Sequence, residues 1–207
     1  MLDYIELFCQ SSLKISRDKI IYFDPFKITA RYQDADIIFI THDHFDHYDV
    51  DSISNVKKND TKIVLPASLK DKALELFEKN NILVVEPLKD YVLDGISFKT
   101  VPAYNTNKNF HPRSNNWVGY VVNIDNHSYY VMGDTDSTPE AKEVKCDVLF
   151  IPIGGTYTMD YKEAAELTNV IKPQIAVPIH YSTVVGSRED ANKFLEMIEV
   201  EGKVIMK

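Results

Sequence analysis

The sequence predicts an α/β protein, and three observations carry that expectation. Short apolar runs rich in Ile, Val, Tyr and Phe, bounded by Pro, Gly, Asp or Asn, recur along the chain and read as strands. Between them lie segments whose apolar residues recur at helical spacing or which open on a capping side chain. The chain is 207 residues long with 44% hydrophobic and 26% charged residues, an ordinary globular composition with enough length to bury a substantial core. No repeat, linker or low-complexity tract interrupts it, so the expectation is a single domain over 1–207.

Residues 4–8, 13–15 and 20–23 read as strands, and the polar break Ser16-Arg17-Asp18-Lys19 makes the last two a hairpin. Asp24-Pro25 ends the third, since Pro cannot continue a ladder, and Asp24 reads as the residue capping that turn. The run Ile37-Ile38-Phe39-Ile40 is short, continuously apolar and partly β-branched, which reads as a buried strand. Thr41 leads out of it into His42-Asp43-His44-Phe45-Asp46-His47. Five of these six side chains can bind a metal, and three of the chain's six histidines are among them. In an extended segment His42 and His44 point the same way, while Asp46 and His47 follow a bend and approach from another side. Imidazole nitrogen and carboxylate oxygen are zinc-type ligands, so this stretch can serve two neighbouring ions.

Residues 49–56 read as a short helix and 62–65 as a strand stopped by Pro66. Leu69, Ala73, Leu76 and Phe77 recur at helical spacing, predicting an amphipathic helix over 67–79 that covers a sheet. Residues 82–85 form a strand; 91–93 and 96–101 flank Asp94-Gly95, a hairpin signal. Residues 102–113 form a long polar loop without periodicity. Its aromatics argue against disorder, and loops of this kind are commonly functional. Strands at 117–124 and 128–132 flank the turn Asp125-Asn126-His127, in which His127 reads as solvated. Gly133-Asp134 ends the second of these strands. Thr138, ahead of Pro139, is the better helix cap, which leaves Asp134 for other work. Residues 147–151 form a buried strand followed by a Gly-containing loop. Asp160 and Glu163 make a capping box for a helix that turns Ala164, Leu167 and Ile171 inward, stopped by Pro173. Residues 174–178 form a strand with His180 at its end. Ser187 with Asp190 caps the last helix, whose Ala191, Phe194, Leu195 and Ile198 face inward, and 203–206 close as an edge strand.

His-x-His-x-Asp-His after an apolar strand resembles the signature of the metallo-β-lactamase superfamily. Gly133-Asp134, Ile151-Pro152-Ile153-Gly154-Gly155 and Ile179-His180-Tyr181 extend the resemblance over most of the chain, towards the lactonase and phospholipase-D-like branch. The resemblance implies a four-layer αβ/βα sandwich with a metal site at one edge between two sheets. It also implies the ligands. One metal takes His42, His44 and a third imidazole; the second takes Asp46, His47 and His180; Asp134 touches both. Asp46 and Asp134 thereby enter the catalytic centre. A water or hydroxide between two such ions, about 3.5–4 Å apart, is activated at neutral pH.

One position departs from the pattern. The family usually places a histidine after the strand ending near Pro102, where this chain has Asn105, and a neutral amide is a poor zinc ligand. Either His111 bends back to replace it, which is the preferred reading, or the first ion is weakly held and the second does the work alone. Asn105, Lys108, Arg113, Tyr157 and Tyr181 form the pool of substrate-binding candidates, for charge stabilisation and proton donation. Lys108 and Arg113 would suit a phosphate or carboxylate on the substrate.

The formal net charge of −8 and the lack of a Lys/Arg cluster disfavour nucleic acid or an anionic membrane as partner. They leave room for an anionic small molecule, because a metal creates local positive charge. Cys9 and Cys146 form no C-x-x-C pair and read as buried reduced thiols. The N-terminus carries acids rather than a signal peptide, and no run reaches membrane-spanning length, so a cytoplasmic location is the default. The expectation is therefore a hydrolase using one or two zinc ions, or another divalent metal, on a small ester, phosphodiester or lactone. Alternatives are a nuclease-type phosphodiesterase, a redox di-iron protein and a non-catalytic metal-binding module. The oligomeric state is left open.

Overall fold

The structure, a computed structural model, describes residues 2–203. They fall into two compact units that divide between Val85 and Glu86.

The first unit is a six-stranded sheet in strict chain order. Strands β1 (Ile5–Leu7), β2 (Leu13–Ser16) and β3 (Ile20–Phe23) form an antiparallel meander. β4 (Ala35–Phe39), β5 (Lys57–Pro66) and β6 (Ile82–Val85) continue it in parallel. Parallel strands are covered on both faces, which explains why residues 37–39 of β4 are apolar without alternation. Ile37, Ile38 and Phe39 are fully buried, and Phe39 stacks on Phe23 with ring centres 5.0 Å apart.

Helix α1 (Val50–Val56) starts at Asp49, whose carboxylate accepts from the Asp51 amide and from the Ser52 hydroxyl. It buries Ile53 and Val56 in a cluster with Ile38, Ile63 and Leu65. Burying one such side chain is worth roughly 1.5–3 kcal/mol. The helix expected over 67–79 is broken. A 3₁₀ turn at Ala67–Leu69 runs into a single α-turn, α2 (Lys70–Ala73). Beyond it the Leu76 amide bonds to the carbonyl of Ala73, three residues back, and the Phe77 amide to the same carbonyl. Leu69, Ala73 and Phe77 are nevertheless buried. A run of tight turns satisfies the same four-residue apolar spacing as a helix, so the pattern does not separate them. β5 also begins five residues before the strand expected over 62–65. Its polar half is held by the Thr61 hydroxyl donating to the Ala35 carbonyl and by the Lys58–Asp36 ion pair, both at 2.6 Å.

The second unit is a seven-stranded sheet. Strands β7 (Asp90–Leu93), β8 (Ile96–Pro102), β9 (Val118–Ile124) and β10 (His127–Val131) are antiparallel. Their hairpins turn at Asp94-Gly95 and Asp125-Asn126, all four residues at positive φ, as a type I′ turn requires. Helix α3 (Pro139–Lys142), capped by Thr138, leads to β11 (Val148–Pro152), parallel to β10. Helix α4 (Tyr161–Ile171) has the Asp160/Glu163 capping box; β12 (Ile175–Ile179) follows, then α5 (Arg188–Met197) with the Ser187/Asp190 box. Ala164, Leu167, Ile171, Ala191 and Phe194 bury these helices against Leu149 and Ile151 of β11. The described edge is β13 (Glu201–Gly202), parallel to β12; the strand expected over 203–206 lies outside the described residues from 204 on.

Neither Cys9 nor Cys146 is disulfide-bonded, and both are half-buried rather than fully buried. Burial pushes the Cys146 thiol up to about 12, so it stays protonated and unreactive at neutral pH. Among the described residues no helix is long and apolar enough to cross a membrane.

Candidate metal centre

In the first unit, two parallel strands end side by side, and their ends are tied together. β3 runs into Asp24, which is fully buried, and β4 runs through Ile40 into Thr41 and His42. Asp24 Oδ1 accepts from the Thr41 amide at 2.8 Å, and Oδ2 accepts from the Thr41 hydroxyl at 2.7 Å. The same Oδ2 lies 2.7 Å from His47 Nδ1. This fixes the His47 tautomer: Nδ1 carries the proton towards Asp24, and Nε2 is left as a lone-pair donor.

A second tautomer follows from the first. The Thr41 hydroxyl has one hydrogen, and it goes to Asp24. Its oxygen, 3.0 Å from His42 Nδ1, is therefore the acceptor, so His42 is also protonated on Nδ1. The chain then turns tightly, with the amides of His47 and Tyr48 both donating to the His44 carbonyl. That turn is the bend expected between His42 and His44 on one side and Asp46 and His47 on the other. The ring centre of His42 lies 4.6 Å from that of His44 and 3.9 Å from that of His47. Asp46 Oδ2 lies 3.8 Å from His47 Nε2 and accepts from the Gln10 side-chain amide at 3.2 Å. Asp24, Thr41 and Gln10 are not among the expected site residues; Asp24 reads first as a turn cap, although the family resemblance implies that this region supports the metal site in some relatives. The visible signal was an acid at the end of a buried strand; its partner stands 23 residues on.

In the second unit, three further ligand candidates converge. Asp134 follows β10 and Gly133, His180 follows β12 at φ 57°, and His111 comes from the long loop after β8. All three are nearly inaccessible. One oxygen, Asp134 Oδ2, lies 3.3 Å from His111 Nε2 and 3.1 Å from His180 Nε2. The His180 turn is packed closely: a Cβ on Gly154 would stand 2.6 Å from the His180 carbonyl oxygen and 3.2 Å from its Nδ1. Glycine at 154 is thus a condition of where His180 sits.

His111 is oriented by Asn105. Its backbone amide and its Nδ1 both lie 3.0 Å from Asn105 Oδ1, so Nδ1 is the protonated nitrogen. A neutral ring then directs the lone pair of Nε2 at the Asp134 carboxylate. Two acceptors facing one another at 3.3 Å repel, and a divalent cation bound by both removes the repulsion. His47 Nε2 and Asp46 make the same kind of pair. By donor type, burial and tautomer these residues fit a divalent metal ion.

The substrate candidates are placed as follows. Asn105 is committed to His111, Asp136 and the Tyr157 carbonyl. Lys108 pairs with Asp136 at 3.0 Å, and Arg113 pairs with Glu140 at 2.6 Å while lying over the Tyr104 ring. Both cations expected to meet an anionic substrate group thus already face carboxylates. Tyr157 is half-buried, edge-on to Phe110 at 4.7 Å. Tyr181 packs partly against the core of the second unit, and burial raises its hydroxyl pKa.

Residues 4–180 match the family model described as the beta-lactamase superfamily domain. A relative named UPF0173 metal-dependent hydrolase, from Thermococcus onnurineus, is 30% identical over 210 residues, covering 95% of this chain and 92% of its own. A crystal structure from Parabacteroides distasonis, described as a candidate metal-dependent hydrolase, has a TM-score of 0.83 at 31% identity, covering 97% of this chain and 91% of its own. A structure from Thermotoga maritima, described as a candidate Zn-dependent hydrolase of the metallo-beta-lactamase superfamily, has a TM-score of 0.62 at 21% identity, covering 95% and 86%, and shows the fold alone. The chain belongs to the metallo-β-lactamase superfamily, has its α/β fold, and falls within its family of metal-dependent hydrolases.

Proposed function

We propose that this hydrolase uses zinc, one or two ions per chain, to cleave a small neutral ester or lactone. The observation that carries the metal reading is the arrangement at Asp134, where one buried carboxylate oxygen has His111 Nε2 at 3.3 Å and His180 Nε2 at 3.1 Å. By analogy with the superfamily, the proposed ligands are His42, His44, His111 and Asp134 for one ion, and Asp46, His47, His180 and Asp134 for the other. Imidazole and carboxylate sets of this kind suit zinc, though they accept other divalent metals. When bound, such an ion lowers the pKa of a water to near neutrality and polarises the substrate's carbonyl or phosphoryl oxygen.

The chain's own residues supply the order that this chemistry needs. Asp24 and Thr41 hold His42 and His47 in the Nδ1–H tautomer, the Gln10 amide holds Asp46, and Asn105 holds His111. The pairing of Lys108 and Arg113 with carboxylates favours a neutral ester or lactone over a phosphodiester. Exposed Phe45, between His44 and Asp46, and exposed Phe110, next to His111, favour a substrate with an apolar substituent. The Tyr157 and Tyr181 hydroxyls are the candidate proton donors to the leaving group.

The test is a panel of aryl esters, lactones and an aryl phosphodiester, assayed before chelation, after chelation and after zinc is restored. The expected result is ester or lactone turnover that chelation abolishes and zinc restores. Absence of chelator-sensitive turnover across all three classes would overturn the reading.

A further inference from the structure

We propose that Asn105 is a positioning residue for the metal centre, which aims His111 through a clamp anchored on the buried Asp136. The inference rests on the reading of His111 as a metal ligand.

Asn105 and His111 share three hydrogen bonds. The Asn105 amide donates to the His111 carbonyl at 2.8 Å, and Asn105 Oδ1 accepts from both the His111 amide and its Nδ1 at 3.0 Å. One side chain thereby closes the loop and sets the ring. The amide orientation is fixed by its other end, because Nδ2 donates to Asp136 Oδ1 at 3.1 Å and to the Tyr157 carbonyl at 2.9 Å. A flipped amide would turn its oxygen to those two acceptors and its nitrogen to the His111 backbone amide, losing three bonds; with the amide so fixed, Oδ1 faces His111 Nδ1 and makes that nitrogen the donor.

Asp136 is 3% exposed and is itself tied down. It accepts from the Thr106 amide at 2.7 Å, the Thr106 hydroxyl at 3.3 Å and Lys108 at 3.0 Å, as well as from Asn105. Its own amide donates to the Tyr104 carbonyl. A buried carboxylate with that many donors is rigid, and it holds Asn105 rigid in turn. Lys108 serves this anchor, neutralising the Asp136 charge beside the loop. Residue 105 thus keeps a place in the centre without coordinating: its neutral amide fixes which nitrogen of His111 is turned to Asp134.

Two measurements test the clamp. The first needs no variant. In metal-free protein above the histidine pKa, ¹⁵N chemical shifts of the imidazoles report the tautomer, and His111 is expected as the Nδ1–H form. An Nε2–H tautomer for His111 would overturn the proposal. The second is zinc affinity by chelator competition for wild type, Asn105→Leu, His111→Ala and the double variant. Asn105→Leu is expected to weaken zinc about 10- to 100-fold. Because it acts through His111, the double variant should bind no more weakly than His111→Ala alone. Wild-type affinity in Asn105→Leu, or losses that add in the double variant, would overturn the clamp. Wild-type protein that binds no zinc at all would sink the metal reading itself, a result plain before any variant is compared.

Discussion

Asp24 Oδ2 lies 2.7 Å from His47 Nδ1, with both side chains fully inaccessible to water. The pair joins the end of β3 to the stretch that follows β4. It therefore couples the sheet's own register to the aim of an imidazole. A carboxylate that orients a ligating histidine fixes its tautomer and makes it a stronger donor. Asp24→Asn is expected to weaken zinc binding by about 10- to 100-fold while the far-ultraviolet circular dichroism stays that of wild type. Unchanged affinity in chelator competition would remove Asp24 from this role.

Gly154 tests how His180 is placed. An added Cβ would meet the His180 carbonyl oxygen and Val185 Cγ2 at 2.6 Å each, far inside van der Waals contact. Gly154→Ala should destabilise the protein by roughly 1–3 kcal/mol, the usual scale of overpacking. It should also weaken zinc binding, since the contact is with the backbone of a proposed ligand. Urea unfolding and chelator competition on the same sample read both effects.

Helix α4 tests the capping reading. Asp160 accepts from the amides of Lys162 and Glu163 at 2.8 and 2.9 Å, and the Glu163 side chain returns a bond to the Asp160 amide. Asp160→Ala should cost about 1 kcal/mol in urea unfolding, with zinc affinity unchanged. A loss of zinc affinity equal to that of the ligand variants would mean that α4 positions the centre.

Asp147 gives a pH signature. The Ser128 amide donates to its carboxylate, and the Ser128 hydroxyl and the Gln174 side-chain amide add to this. Together these outweigh burial and hold the group below the usual carboxylate range. A pKa lower in the folded than in the unfolded state contributes stability above the unfolded value, about 3.9, and loses it as pH falls through the folded value. Wild type should therefore exceed Asp147→Asn in stability at pH 7, with the gap shrinking once pH drops below about 4. A gap that stays constant from pH 7 to pH 3 in urea titrations would contradict this.

Much of this was legible in the residues, for reasons that can be named. The strands announced themselves because residues 37–39 of β4, and β11 and β12 along their length, are buried and apolar, and the hairpins because Asp94-Gly95 and Asp125-Asn126 can take positive φ. The caps at Thr138, Asp160 and Ser187 carry local chemistry that needs no distant partner. What the sequence withheld was long-range or degenerate. Asp24 is one acid among many until the fold sets it against His47. Asn105 reads as a lost ligand until His111 is seen to bond to it. The turns after Ala73 keep a helix's spacing with only part of a helix's bonding, and the polar half of β5 has no apolar pattern to reveal it.

The central claim is that these buried histidines and carboxylates hold a divalent metal. Elemental analysis of purified protein reloaded with zinc and desalted tests it most directly, with His47→Ala and His180→Ala as companions. The account predicts one to two equivalents of zinc per wild-type chain and a clear fall in each variant. Wild-type protein with no zinc above background, or variants that retain the full wild-type content, would contradict it.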